Sequence, residues 1–466
     1  MPQASYSPRG RTAVVLCGTG TAGAYQAGVL RAFSEAGVKV DVVAGHGPGA
    51  ANAFCAAIDG SARLWDPDGP WTSSAVGRPY VWRGGLRVFF VGLGATALLL
   101  LLPLVVLVAA AVVYAVGVLL ALANLTEASA YVVALYQGMV QWLFDPPVLP
   151  TIIPRAVLLT LLVVVGVLVV SAVRAASDDR SRRRLQGGFW WRLLGAPLRA
   201  DEPGQSLIRA LWTLVRGASA APPGQRDDLG RRYVEVLTDN LGQPGFREVL
   251  VAVHDTDSRR DLVGAVLAPH ARGRFEARRP TSGAREAEIV DLSGPQRSLV
   301  ADFIAGAFRM PIATALWPLQ FPPDGYWRGE LHHVCDRPEL AVRLLEEVAA
   351  IGAEQVILVS AAPAPAQPHA LRARPAGLRA RIGAEVRSIE TAAFEDACAI
   401  AETRFAGAFV IRPSHNPIGP FDFGGAYDES SDRRCTLPEL IQQGYDDAYR
   451  VFIEPVVAAG ERVAQI

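Results

Sequence analysis

Residues 88–126 carry no charge, and residues 156–173 carry none either. At 1.5 Å of rise per residue, about 20 helical residues cross a ~30 Å hydrocarbon core, and each stretch holds that many or nearly so. The second includes thirteen valines and leucines. At about −0.3 to −0.6 kcal/mol each near the bilayer centre, and less toward the ends, their insertion is worth roughly −4 to −6 kcal/mol. Core helices of soluble domains are usually shorter, so both stretches are read as membrane spans.

The first stretch is about twice as long as one span requires. One pass is preferred to two, because only Pro103 and Gly117 interrupt it, whereas Glu127, Asp145, Pro146 and Pro147 punctuate the segment C-terminal to it. Residues 128–144 carry Tyr131, Tyr136, Trp142 and Phe144 and read as an interfacial or re-entrant segment. Arg83 and Arg87 precede the first span, and Arg174, Arg180, Arg182, Arg183 and Arg184 follow the second, while the connection holds only Arg155. The positive-inside rule then makes both outer flanks cytoplasmic, the two spans a hairpin, and the arginine run a topology anchor. No apolar core of a signal peptide opens the chain, so its first residues are expected in the cytoplasm, as is the globular part.

The whole chain is 51% hydrophobic and 19% charged, against about 25% charged in an average globular protein, and the spans account for the deficit. A formal net charge of zero gives no general attraction to nucleic acid. Cys17, Cys55, Cys335, Cys398 and Cys435 are odd in number and lack CxxC spacing, so neither a disulfide framework nor a zinc cluster is written here.

Outside the spans, strand and helix patterns alternate, which predicts an α/β fold. Strands are expected at 13–16, 40–44, 248–253, 355–360 and 408–411, and helices at 25–36, 50–58 and 340–351. Residues 217–230 and 361–377 read as loops. The expected organisation is residues 1–84 and 176–466 as one α/β domain, interrupted by a transmembrane insertion over 85–175.

Gly18-Thr19-Gly20-Thr21-Ala22-Gly23 follows a strand and precedes a helix with the GxGxxG spacing of a dinucleotide-binding loop, and Asp41 stands near the distance of a ribose-binding acid. That acid should end the second strand, yet Asp41 comes before Val42, Val43 and Ala44. A second sharp turn, Gly45-His46-Gly47-Pro48-Gly49, then joins strand to helix directly. Its outline is that of a GxSxG nucleophile elbow with Gly47 at the centre.

Together the two turns resemble the patatin-like phospholipases. CGTGTAGAYQAGVLRAF is similar to that family's glycine-rich oxyanion loop and the helix after it, and VDVVAGHGPGAANAF to its second strand, elbow and AxNA helix. Weaker similarity runs through FREVLVAVHDTD, FIAGAFRMP, YWRGELHHVCDRPELA, EQVILVSA and FDFGGAYDESSDRRCTLPELIQQGYDDAYRVF, most of the chain outside the insertion. The resemblance implies a three-layer α/β/α hydrolase fold interrupted by a transmembrane helical hairpin. It also implies a Ser-Asp dyad, in which serine attacks an ester carbonyl, the aspartate of a DG[GA] motif activates it and loop amides hold the oxyanion. Carried over residue by residue, the serine falls on Gly47, the acid on Arg328 of Arg328-Gly329-Glu330, and the loop's basic residue on Ala22. Gly18, Thr19, Gly20 and Gly23 stand for the oxyanion-type loop, and Gly45, His46 and Gly49 for the rest of the elbow.

Losing the nucleophile of such a unit costs about 10⁶ in rate, roughly 8 kcal/mol of barrier. The expectation is a membrane-anchored pseudoenzyme that binds lipid or serves as a scaffold. Membrane lipid is the expected partner, a protein partner is left unspecified, and no cofactor, metal or nucleic acid is implied. Two other readings stay open: an acyl hydrolase with an unrecognised nucleophile, and a dinucleotide-binding protein acting through Gly18, Gly20 and Gly23.

Several side chains could restore chemistry. His46 adjoins the missing serine but is expected to be a partly exposed turn histidine pointing away from the cleft. Cys17 and Cys55 sit in apolar elements and read as inert thiols. His332, His333, Cys335 and Asp336 look like metal ligands, but neighbours on a strand point to opposite faces and do not converge. Asp422 is placed to mimic the dyad acid, although its FDF segment reads as structural. His254, Asp255 and Asp257 end a strand, where capping is the plainer role.

Overall fold

The structure, a computed structural model, describes residues 6–72, 80–144, 152–177, 195–217, 226–277, 285–366 and 377–457. The strands are β1 Thr12–Cys17, β2 Val42–His46, β3 Val81–Trp82, β4 Leu198–Arg199, β5 Glu248–Asp255, β6 Arg260–Val266, β7 Ile289–Asp291, β8 Trp317–Gln320, β9 Leu331–Cys335, β10 Gln355–Ser360, β11 Gly407–Ile411, β12 Ala426–Asp428 and β13 Arg433–Cys435. The helices are α1 Ala22–Glu35, α2 Pro48–Ala57, α3 Gly84–Leu122, α4 Thr126–Phe144, α5 Ile152–Ser177, α6 Asp201–Val215, α7 Arg226–Asn240, α8 Pro269–Glu276, α9 Val300–Ala307, α10 Leu340–Ala350, α11 Leu378–Arg404 and α12 Leu437–Ala448. The chain divides into two compact units, residues 1–81 with 198–466, and residues 82–197.

The first unit is mixed α/β around a mostly parallel sheet ordered β11-β10-β1-β2-β5-β6-β7, with β9 paired to β5 and β8 to β9. From β11 to β5 every pairing is parallel, while β6 and β9 run antiparallel to β5. β1, β2, β5 and β10 are buried from end to end, which is why they read as unbroken apolar runs instead of alternating ones. Ala13, Val15, Val42, Ala44, Leu250 and Val356 pack with Leu344 and Leu345 of α10 and Phe394 and Ala397 of α11. Where α1 meets α12, a Cβ on Gly28 would lie 1.8 Å from the Ile441 carbonyl oxygen and one on Gly444 2.1 Å from that of Tyr25. Only glycine permits so close an approach of the two backbones.

Sequence expectation and structure agree within three residues at each end for β1, β2, α1, α2, β5, β10, α10 and β11. The expected 217–230 loop is corrected in part, since α7 begins at Arg226; residues 218–225 and 367–376 lie outside the described residues. Where the chain enters and leaves the second unit, β3 and β4 pair.

In the second unit, α3 is one uninterrupted helix of 39 residues with Pro103 inside it. Among the described residues two helices are long and apolar enough to cross a membrane, 84–122 with mean hydropathy 2.9 and 154–171 with 2.3. The Ser129 and Tyr136 hydroxyls of α4 donate to the carbonyls of Gly117 and Val106 (2.8 and 2.6 Å), so α4 runs back along the C-terminal half of α3. A Cβ on Gly92 would meet Val164 Cγ2 at 2.3 Å and one on Gly85 Ser171 Oγ at 3.3 Å, so α5 runs back along the N-terminal half. Most large apolar side chains here are exposed, Leu107 at 67% and Leu159 at 65% among them. Arg180, Arg182, Arg183 and Arg184 lie outside the described residues.

Candidate functional site

At the C-terminal edge of a parallel sheet, loops converge where strands stop, and such edges hold the ligands of α/β proteins. β1 stops at Cys17 and opens into the loop of Gly18, Thr19 and Gly20; β2 stops at His46 and turns through Gly47 into α2. Gly47 has φ 56° and ψ −140°, a region closed to other residues without strain. A Cβ there would lie 2.3 Å from the Gly18 carbonyl oxygen and 2.7 Å from Asp336 Oδ2. The place of a nucleophile's side chain is therefore filled, by a carboxylate. Pro48 follows, so the residue after the elbow centre has no N–H to offer an oxyanion.

The loops are packed against their own surroundings. A Cβ on Gly45 would lie 2.3 Å from the Gly49 carbonyl oxygen, and one on Gly49 2.3 Å from that of Leu16. Thr21 donates its N–H to Pro420 O (3.1 Å) and its hydroxyl to Gly419 O (2.9 Å), and Gly20 lies directly under Pro420. Gly23 lies under Trp71, whose indole donates to Asn52 Oδ1 (2.9 Å). Asn52 donates to Gly23 O and Gln26 Oε1, and Gln26 to Cys17 O. This buried amide chain pins the start of α1 and of α2 to the end of β1, and a satisfied chain of this kind rigidifies what it joins.

Over the elbow lies a cluster of buried polar groups. His46 Nδ1 pairs with Asp336 Oδ1 at 2.9 Å, each side chain 1% exposed. Burial by itself would lower the imidazole's pKa, but the Asp336 carboxylate, its hydrogen bond and the Cys17 thiol outweigh it and push the value up to about 10. Glu390 of α11 is also buried, and burial pushes its carboxyl up to about 7 against the lowering effects of Thr19, Arg387 and His46. Thr19 Oγ1, His46 Nε2, Asp336 Oδ2 and Glu390 Oε1 have no partner of normal hydrogen-bond geometry. Tyr80, wholly buried, donates to Phe308 O (2.9 Å) and stacks edge-on to Phe421 at 5.1 Å.

His46 is thus a buried, ion-paired residue, which corrects the expectation of a partly exposed one. Arg328 is not brought to the elbow; it stands on an exposed turn with φ 41°. Asp336 occupies the place beside Gly47, and its residue type was legible only as one of a row after β9. Glu390 was missed altogether, because nothing in the sequence singles out one glutamate of a long polar helix. Asp422 accepts the N–H of Gly419 (3.2 Å) and serves its own loop. His332 pairs with Asp255 (2.5 Å), His333 with Asp257 (2.9 Å) and His254 with Asp261 (2.7 Å), while Asp255 Oδ1 caps the turn through the N–H groups of Asp257 and Ser258. Asp41 accepts the N–H of Thr12, the first residue of β1 (2.9 Å), at the sheet edge opposite the glycine loop and out of reach of a nucleotide held there.

A second cluster was not foreseen. Ser430, His415 and Asp428 line a cleft of about 1140 Å³. His415 Nε2 meets both Ser430 Oγ (3.2 Å) and Asp428 Oδ1 (2.9 Å), and the Ser430 hydroxyl donates to Asp428. Acid and serine share one ring nitrogen, whereas a proton relay needs them on opposite nitrogens.

No protein-family model and no curated protein matches the sequence. Among solved structures, the chain aligns with the crystal structure of VipD from Legionella pneumophila at 12% identity, over 96% of this chain and 67% of that one, with a TM-score of 0.31. That score is too low to indicate a shared fold.

Proposed function

We propose that this protein is a membrane-anchored relative of the patatin-like acyl hydrolases whose elbow has lost catalysis, so that it binds lipid or serves as a scaffold. The reading rests on one observation above the others: Gly47 keeps the backbone of an elbow centre while Asp336 Oδ2 would sit 2.7 Å from any Cβ placed there. With no side chain to attack an ester, no N–H on Pro48 and a buried elbow, acyl transfer has neither nucleophile nor room. In this reading α3 and α5 are the two spans of an inserted hairpin with both flanks cytoplasmic, and the exposed apolar faces of the second unit meet lipid.

The test is an assay of the purified protein in detergent with p-nitrophenyl esters and with phospholipid. No turnover above the detergent blank is expected. Turnover abolished by changing one particular side chain would sink the reading and leave the unrecognised nucleophile in its place.

A further inference from the structure

Pro311 and Ile312 stand at the apex of the loop between α9 and β8. Ile312 is 93% exposed, more than any other large apolar side chain among the described residues, those of α3 and α5 included. Its backbone has φ 68°, and across it the Ala313 N–H donates to the Pro311 carbonyl at 2.7 Å. Such a bond over a residue at positive φ makes a γ-turn of the rare, strained hand. A β-branched residue is unfavourable there, where glycine or asparagine fits readily. The base of the loop is buried and holds the turn. Thr314, 2% exposed, donates its N–H and its hydroxyl to the Met310 carbonyl (both 3.0 Å) and accepts the Met310 N–H (2.8 Å). The Ala313 carbonyl accepts the N–H of Leu198 in β4 (2.9 Å). An isoleucine fixed in a strained turn with almost none of its surface buried adds little to the core, and strain of this kind gathers where a chain meets a ligand or partner.

We propose that this loop is a second membrane contact of the protein, in which Ile312, with Pro311 beside it, enters the headgroup layer of a lipid bilayer. The chain limits how far away that layer can lie. Ala313 is hydrogen-bonded to Leu198 of β4, and β4 pairs with β3; two strand spacings are roughly 10 Å. From Val81 of β3 three residues lead to Gly84, where α3 begins, a tether of at most about 11 Å. Arg87, about one helical turn further on, is the last charge before the uncharged stretch 88–126. Residues 310–323 carry no charge either, so no ion in the loop has to be stripped of water on entry. A lipid surface suits one fixed apolar prong because insertion needs apolar area and no matching shape, whereas a protein interface is built on a contiguous patch. The inference rests on the membrane insertion of α3 in the proposed function and is independent of the loss of catalysis.

The test uses the whole chain reconstituted in phosphatidylcholine vesicles. Cys398 and Cys435, the half-buried thiols, are changed to serine, and one cysteine at a time is introduced and labelled with a nitrobenzoxadiazole fluorophore. The sites are Ile312→Cys, Pro311→Cys, Phe90→Cys just inside the uncharged stretch, and Gly273→Cys on the surface of α8 as the aqueous reference; the parent chain carried through the same labelling is the blank. Quenching is read with iodide in the water and with phosphatidylcholine bearing a doxyl group near the head of its acyl chain. At 311 and 312 the doxyl lipid should quench, iodide should quench severalfold less than at 273, and the emission should shift to the blue. Position 90 reports insertion separately. Without doxyl quenching there, the membrane reading and this proposal fall together; quenching at 90 with none at 311 and 312 would overturn this proposal alone. A label at 312 shielded from both quenchers would overturn it in favour of a protein partner or a second copy. Ile312→Asn checks the premise: in detergent its denaturant midpoint should be no lower than that of the unaltered protein, and a lowered midpoint would show that the isoleucine serves the fold instead.

Discussion

A side chain at position 47 would have to share its space with Asp336. Gly47→Ser forces φ 56° on a residue with a Cβ and sets that atom 2.3 Å from a backbone oxygen that cannot swing away. The change should cost about 1–3 kcal/mol, read as a lowered denaturant midpoint, and should yield no esterase. Removing either partner of the His46–Asp336 pair strands a buried charge, so Asp336→Ala should cost about 3–5 kcal/mol on the same measurement. The pH dependence has a definite sign. His46 rises from 6.5 to about 10 on folding and Glu390 from 4.5 to about 7, so the folded protein binds more protons than the unfolded one across both windows. The Glu390 contribution is fully present below pH 4.5 and lost by about 7; that of His46 is present below 6.5 and lost by about 10. Stability should therefore fall from pH 5 to pH 10, and Glu390→Gln should flatten the lower half of that curve. A curve that rises with pH would contradict both assignments. At this scale the glycines of both turns could be read from the sequence, but the identity of the carboxylate facing Gly47 could not, since residues 290 apart meet there.

Elements were legible where local pattern and environment agree. β1, β2, β5 and β10 are apolar because both faces of the sheet are covered, so each announces itself in isolation. The 27-residue α11 did not, because its buried positions, among them Gly383, Glu390, Ala393 and Phe394, are few and chemically mixed. Packing between elements gives a sharper test. Gly444→Ala would drive a Cβ to 2.1 Å from Tyr25 O and should lower stability by about 1–3 kcal/mol. Gly273→Ala in α8, where nothing lies within 4 Å, should instead be neutral or stabilising by a few tenths to about 1 kcal/mol. Thermal unfolding of the two variants side by side separates the outcomes.

At the scale of the whole molecule, α3 at 39 residues measures about 58 Å, nearly twice a hydrocarbon core. α5 flanks one half and α4 the other, so a single straight pass leaves part of α3 and α4 beyond the core. The protein should stay in the membrane fraction through alkaline carbonate washing; release into the supernatant would count against insertion. Because β3 and β4 pair where the chain leaves and re-enters the α/β unit, replacing residues 83–197 by a short glycine-serine linker should leave that unit folded and soluble, with cooperative unfolding by circular dichroism. Aggregation of that variant would show that the inserted unit is needed for folding. The sequence by itself determined the apolar stretches, the alternating α/β pattern and the two glycine turns, since each is fixed by neighbours along the chain through period, length and the absence of a Cβ. Only the tertiary structure decided that α4 and α5 run back along α3, that Arg328 stands apart from the elbow, and that Asp336 and Glu390 gather around His46. Those meetings depend on strand order and register, which bring distant residues to one sheet edge, and no local signal encodes them.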